Sequence, residues 1–140
     1  MDKVITVSGK EVGFRATALT PRIYRHKMKR DIVRDMNRLQ SNFNKAVKAQ
    51  NLQPPKEDAA DWQKKEYEEA VKHAQLDVMD LEIFENVAYI MARQFDPTLP
   101  NTAEEWLDGI DGTFSIYEVL PQLLELWKLN QQTTSVPKKK

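Results

Sequence analysis

The sequence predicts a mainly α protein: an N-terminal β-hairpin, then a bundle of four to five helices, then a disordered C-terminal tail. Three observations carry this. Two short runs rich in β-branched residues, "KVITV" and "EVGFRA", flank "SGK", which supplies a turn glycine. Beyond them, apolar residues recur at three- and four-residue steps over long stretches. Prolines and glycines punctuate those stretches beside Thr, Ser and Asp residues that suit helix N-termini. The chain has 140 residues, 41% of them hydrophobic and 30% charged, which suits one domain over 1–131 with a flexible basic tail over 132–140.

In the hairpin, Gly13 either weakens the second strand or marks a bulge. "TPRIYRHKMKRDIVRDMNRLQSNFNKAV" then opens a helix, with Thr20 as N-cap and Pro21 at the first helical position, where a missing N–H costs nothing. Tyr24, Met28, Ile32, Met36, Leu39 and Phe43 form one stripe; Arg22, Arg25, Lys29, Arg30, Arg34 and Arg38 occupy the other faces. Carried to Gln50, this helix would be roughly 45 Å long. A compact chain of this size is only about 35–40 Å across, so the helix either breaks near Asn42 or projects.

Pro54 and Pro55 forbid helix in the polar loop that follows, and Asp58 or Asp61 can cap the next one. "DWQKKEYEEAVKHAQLDVMDLEIFENVAYIMARQF" is helical, in one piece or in two that meet near Asp77 to Asp80. Its first part is polar, anchored by Trp62, Val71 and Leu76. Its second carries Leu81, Phe84, Val87, Ala88, Met91 and Ala92 on one broad face, the best core helix in the chain. Pro97 stops it. Thr102 with Glu105 forms a capping box for a short helix bearing Trp106 and Leu107, which Gly109 and Gly112 end. Ser115 with Glu118 repeats the box before "IYEVLPQLLELWKLN", where Pro121 should kink the helix or delay its start.

Several kinds of chemistry lack their residues. No cysteine is present, which removes disulfides and thiolate metal sites. No signal peptide is evident, and the longest apolar run, Val87 to Ala92, is far below the ~20 residues that span a bilayer; a cytoplasmic protein with no membrane partner is expected. His26 and His73 stand alone. Glu69, His73 and Asp77 fall at i, i+4 and i+8, a spacing that suits a metal but also an ordinary salt-bridging stripe. "DGIDGTFSIYE" fails as a calcium loop, because Leu107 and Gly109 fall where carboxylates are required. With four glycines and no phosphate-loop or nucleophile-elbow signature, no catalytic, cofactor or metal residue is assigned, and no enzyme is expected.

A net charge of zero hides a division. Met1 to Gln50 holds 12 Lys and Arg against 4 Asp and Glu, net +8; Asn51 to Lys140 holds 9 against 17, net −8. The halves can pair within one molecule, pair head to tail between copies, or leave a basic face for an outside partner. A nucleic-acid-binding regulator using the arginine-rich helix is the alternative function. The hairpin before that helix and the acidic remainder of the chain argue against it.

Laid out in order, "LTPRIYRHKMKRDIVRDMNRL", "LEIFENVAYIMARQFDPTLPNTAEEWLDGID" and the final leucine-rich helix resemble the tail assembly chaperones of long-tailed phages and prophages, particularly of Gram-positive hosts. Arg25, the run Lys29-Arg30-Asp31-Ile32, the "ENVAYIMA" helix and "PNTAEEWL" carry the resemblance, which covers roughly Val4 to Leu129. It implies binding of the helical tape measure protein, assembly of tail-tube protein around it, and absence from the finished virion. It also implies a longer form made by a ribosomal slip, with which the lysines of "PKKK" are compatible. The segment Phe84 to Ile110 would then be scaffold. For a partner helix, Tyr24, Met28 and Phe43 bordered by Arg25 and Lys29 are the candidate contacts. Self-association into rings or filaments is expected from the divided charge.

Overall fold

A computed structural model describes the backbone of residues 1–51, 53–73 and 76–135, and the side chains of all of these except 73 and 131–135. Strands β1 (Asp2–Val7) and β2 (Lys10–Arg15) form an antiparallel hairpin, followed by α1 (Thr20–Met28), α2 (Ile32–Gln50), α3 (Asp61–His73), α4 (Val78–Phe95), α5 (Ala103–Asp108) and α6 (Ile116–Ser135). The expected architecture is therefore present, with six helical segments because the first long helix is two.

Ser8 and Gly9, both at positive φ (49° and 81°), make the two-residue turn whose twist matches that of the strands. The register runs without a bulge from Val7 opposite Lys10 to Asp2 opposite Arg15. Gly13 serves a close approach instead: a Cβ there would lie 2.2 Å from the ring of Phe95, and the Arg15 guanidinium sits over the same ring at 5.6 Å. On the other face Ile5, Val7 and Phe14 are buried.

The first helix breaks at Lys29–Asp31, not near Asn42. Lys29 ends α1 in the left-handed conformation at φ 58°, and its N–H bonds to the Arg25 carbonyl. Asp31 then caps α2 by accepting from the Val33 N–H at 2.9 Å. Thr20 does not cap α1; it is the first helical residue, and its hydroxyl accepts from Thr17 N and donates to Gln94 Oε1. The reason for the break is the pair of groups it brings together. The Tyr24 hydroxyl on α1 donates to Asp35 on α2 at 2.7 Å, and Arg30 grips the same carboxylate through two N–H groups at 2.8 Å each. Asp35 is 3% exposed, so these bonds stand in for lost water.

A second buried carboxylate repeats the arrangement between α2 and α4. Asp80 forms a reciprocal capping box with Asp77, which divides the middle segment where the sequence allowed. It also accepts from Asn42 Nδ2 at 3.0 Å and Arg38 Nε at 3.1 Å, while Arg38 reaches Asp77 as well. Burial pushes both carboxyls up, but the hydrogen bonds from Arg30 and Tyr24 on Asp35, and from Asn42, Asp77 N–H and Arg38 on Asp80, outweigh it. Both sit below the usual carboxylate range.

Helix α4 is central, packing against β2, α1, α2, α5 and α6. Eight of its residues from Ile83 to Ala92 are buried, so it is apolar nearly all round. Leu81, expected on its core face, is instead 41% exposed. Beyond α4, the Tyr89 hydroxyl donates to the Pro100 carbonyl and Arg93 reaches Asn101, fixing the proline turn. Thr102 accepts from Glu105 N at 3.2 Å and starts α5. Trp106 then packs between Tyr89 (5.9 Å) and Phe114 (5.5 Å), and Phe114 stacks on Phe84 at 4.8 Å. Within Phe84 to Ile110 the core thus takes Phe84, Val87 to Ala92, Ala103 and Trp106, while the proline turn between them is exposed or half-buried.

Helix α6 contains Pro121 in its second turn and continues through it, so the proline does not delay the start. Tyr117, whose carbonyl the missing N–H would have served, is exposed to water. The backbone of α6 runs to Ser135, into the stretch expected as a tail; residues 136–140 lie outside the described residues. Helix α3 starts at Asp61 with Gln63 Oε1 accepting from Ala60 N, rather than by a cap from Asp58. Trp62, expected as its anchor, is 65% exposed.

Two consequences can be measured. Lys29→Gly removes the Cβ penalty of the left-handed position and should stabilise the fold by about 0.5–1 kcal/mol in a denaturant titration. The pH dependence has a definite sign: carboxyls depressed in the fold contribute stability above their unfolded values near ~4, and lose it as pH falls through the folded values. The melting temperature should therefore drop below about pH 4, and Asp35→Ala, costing about 2–4 kcal/mol at neutral pH, should flatten that drop.

Candidate functional site

The five residues expected to meet a partner divide by burial. Tyr24 is fully buried and committed to Asp35, so it belongs to the core and not to a surface. Met28 is partly buried against the core; Arg25 and Lys29 are exposed. Phe43 is 7% exposed. These residues do not make one patch: Phe43 lies well along α2, beyond the break that Lys29 helps to make.

What α2 does build, with α6, is an open apolar groove. Ala46, Ala49 and Gln50 of α2 face Ile116 and Tyr117 of α6 across a hollow of about 540 Å³, closed at its side by Tyr67 and Val71 of α3 and by Leu76 and Leu81. Among the described residues no charged one lines it. A second, separate hollow of about 450 Å³ lies between the same helices, lined by Gln40, Phe43 and Asn44 on one side and Pro121, Leu124, Glu125, Lys128 and Leu129 on the other. The rings of Phe43 and Tyr117, 5.7 Å apart, come one from each hollow's lining. Leu81, Tyr117 and Leu129 are each about two-fifths exposed along this groove. Uncharged walls with a single acid and a single base at one end suit the apolar face of an amphipathic helix.

The sequence signal for this site was weak for a physical reason. Helix α6 carries leucines on several faces, and a leucine that floors a groove has the same spacing as one that fills a core. Alanines at 46 and 49 matter by being small, which periodicity does not register. Phe43 is the one expected contact that the groove contains.

The basic stripe is partly consumed within the fold. Arg30 is held by Asp35, and Arg38 by Asp77 and Asp80, leaving Arg22, Arg25, Lys29 and Arg34 on exposed positions without an ion pair among the described residues. The carboxylate–histidine spacing at Glu69, His73 and Asp77 does not lie on one helix, since α3 ends at His73 and Asp77 caps α4. Among the described residues no group of His, Asp and Glu is arranged to hold a metal, and no helix is long and apolar enough to cross a membrane.

A separate apolar cavity lies beneath the hairpin turn, lined by Val7, Val12, Leu99, Trp106 and Ile110 among others. At about 260 Å³ it falls below the roughly 300–1,000 Å³ of most small-molecule sites. A larger hollow of about 680 Å³ lies between the 53–59 loop and α3, but Lys56, Asp58 and Glu66 are in its lining. The groove between α2 and α6 is the candidate site because its described lining near Ala46 and Tyr117 is uncharged. Comparison of the chain with protein-family models, with curated proteins and with solved structures finds no match in any of the three.

Proposed function

We propose that this chain is a phage tail assembly chaperone, which receives helical segments of a tape measure protein in the groove between α2 and α6. It keeps that long polypeptide soluble in the host cytoplasm, promotes assembly of tail-tube subunits around it, and is absent from the finished particle. The reaction is binding, with no catalytic step and no cofactor. The observation that supports this reading is the hollow lined by Ala46, Ala49 and Tyr117, with no charged residue among its described lining. The order of hairpin, basic helix, "ENVAYIMA" helix and tryptophan-bearing turn supports it through the resemblance described above. A helix laid in such a groove buries apolar surface worth about 25 cal/mol per Å², while its polar face keeps the complex in solution.

The exposed arginines and Lys29 favour a second reading, a nucleic-acid-binding regulator, whose binding to random duplex would weaken steeply with added salt. Titration at micromolar protein separates the two: a chaperone leaves the duplex unbound at physiological salt.

Co-expression with a tape measure protein tests the first reading directly. The wild-type chain should shift that protein from the insoluble to the soluble fraction. Ala49→Glu combined with Leu129→Glu should reduce this at least tenfold by placing charge in the groove. Since both positions have access to solvent, the melting temperature should change by no more than a few degrees. Equal activity of the double variant would remove the groove from the account.

A further inference from the structure

A two-stranded sheet leaves two backbone edges, and in this protein they are not alike. The parity of the ladder settles which groups point outward. Met1 and Ala16 exchange both backbone bonds, at 2.8 and 2.9 Å, so with a continuous register Lys3, Ile5 and Val7 also bond across to β2. Asp2, Val4 and Thr6 therefore direct their N–H and C=O groups away from the hairpin. All three are exposed, Val4 at 55%, and their outward groups have no partner among the described residues. Both strands pack against a helix, β1 on α6 and β2 on α4, and they differ in what stands at the outward positions: on β2 these are Glu11, Gly13 under the Phe95 ring, and Arg15, which is paired with Asp2.

Proteins ordinarily guard an open edge with proline, a bulge or inward-pointing charge. Strand β1 has six residues, no proline and no bulge; its inward charge, Lys3, is held by Glu125 of α6, and an apolar β-branched side chain stands at the midpoint of its outer face. The geometry points to a use for that edge: two copies of this chain pair β1 with β1, antiparallel, about a two-fold axis through Val4, giving one four-stranded sheet.

The strand is self-complementary in this arrangement. Val4 of one copy stands beside Val4 of the other, and Asp2 stands opposite Thr6, so each outward N–H finds an outward C=O. Like charges are kept apart, whereas a parallel pairing would set Asp2 beside Asp2. A contact made about a two-fold axis uses the same surface on both copies, so it closes at two. The pairing is independent of the chaperone reading and of the groove.

The absence of native cysteine makes the test specific. In a hydrogen-bonded antiparallel pair the facing Cα atoms are about 5.5 Å apart, within the range a disulfide bridges. Val4→Cys should therefore cross-link under mild oxidation into a species of twice 16.3 kDa, at least tenfold faster than Glu11→Cys, which is exposed on β2 of the same hairpin face. Thr6→Pro removes only an outward donor, so the wild-type dimer seen by sedimentation should become a monomer with its helical circular dichroism unchanged. Val4→Lys, which sets two cations face to face on the axis, should do the same and serves where the proline variant fails to fold. A wild-type chain that is monomeric up to hundreds of micromolar, or equal cross-linking of the two cysteine variants, would overturn the proposal.

Discussion

Two buried carboxylates hold the arrangement of helices on which everything else rests. Asp35 joins α1 to α2 through the Tyr24 hydroxyl and the Arg30 guanidinium; Asp80 joins α2 to α4 through Asn42 and Arg38 while capping α4 with Asp77. Each would be costly to bury alone, and each is tolerated because every bond it loses to water is replaced by a charged or polar donor. Because α2 supplies one carboxylate and the donors to the other, its direction is fixed at two points. Hydrophobic burial alone sets no such direction, since it favours any packing that covers the same apolar area.

With α2 fixed in this way, its C-terminal half is carried past the central core towards α6. Leu39 and Phe43 still pack inward, but Ala46 and Ala49 present small side chains, and the two helices leave a groove between them. Its open apolar lining has a cost in water, and the dense core around α4 and the Trp106 cluster offsets it.

Much of the fold was legible because local signals agreed. The Ser8–Gly9 turn, the Asp77 boundary, the stop at Pro97 and the Thr102 cap all act within a few residues of where they are written. The break in the first helix was misplaced because Tyr24, Met28 and Ile32 keep helical spacing straight across it. The tie that demands the break, from Tyr24 and Arg30 to Asp35, is tertiary and leaves no period. Trp62 suits an anchor and Leu81 a core face by residue type and spacing, and only packing decides that they stay 65% and 41% exposed. Of the site, Phe43 alone was foreseen, since a groove is defined by the small residues and gaps between stripes.

The divided charge is used in part across the two halves, by Lys3 with Glu125 and by Arg38 with Asp77 and Asp80, while Arg15–Asp2 and Arg30–Asp35 pair within the basic half. The most direct test of the central claim is amide hydrogen exchange on the chain with and without a soluble tape measure segment. The account predicts new protection confined to the second half of α2, the first turns of α6 and the neighbouring face of α3. Protection along Arg22 to Arg34, with those segments unchanged, would contradict it.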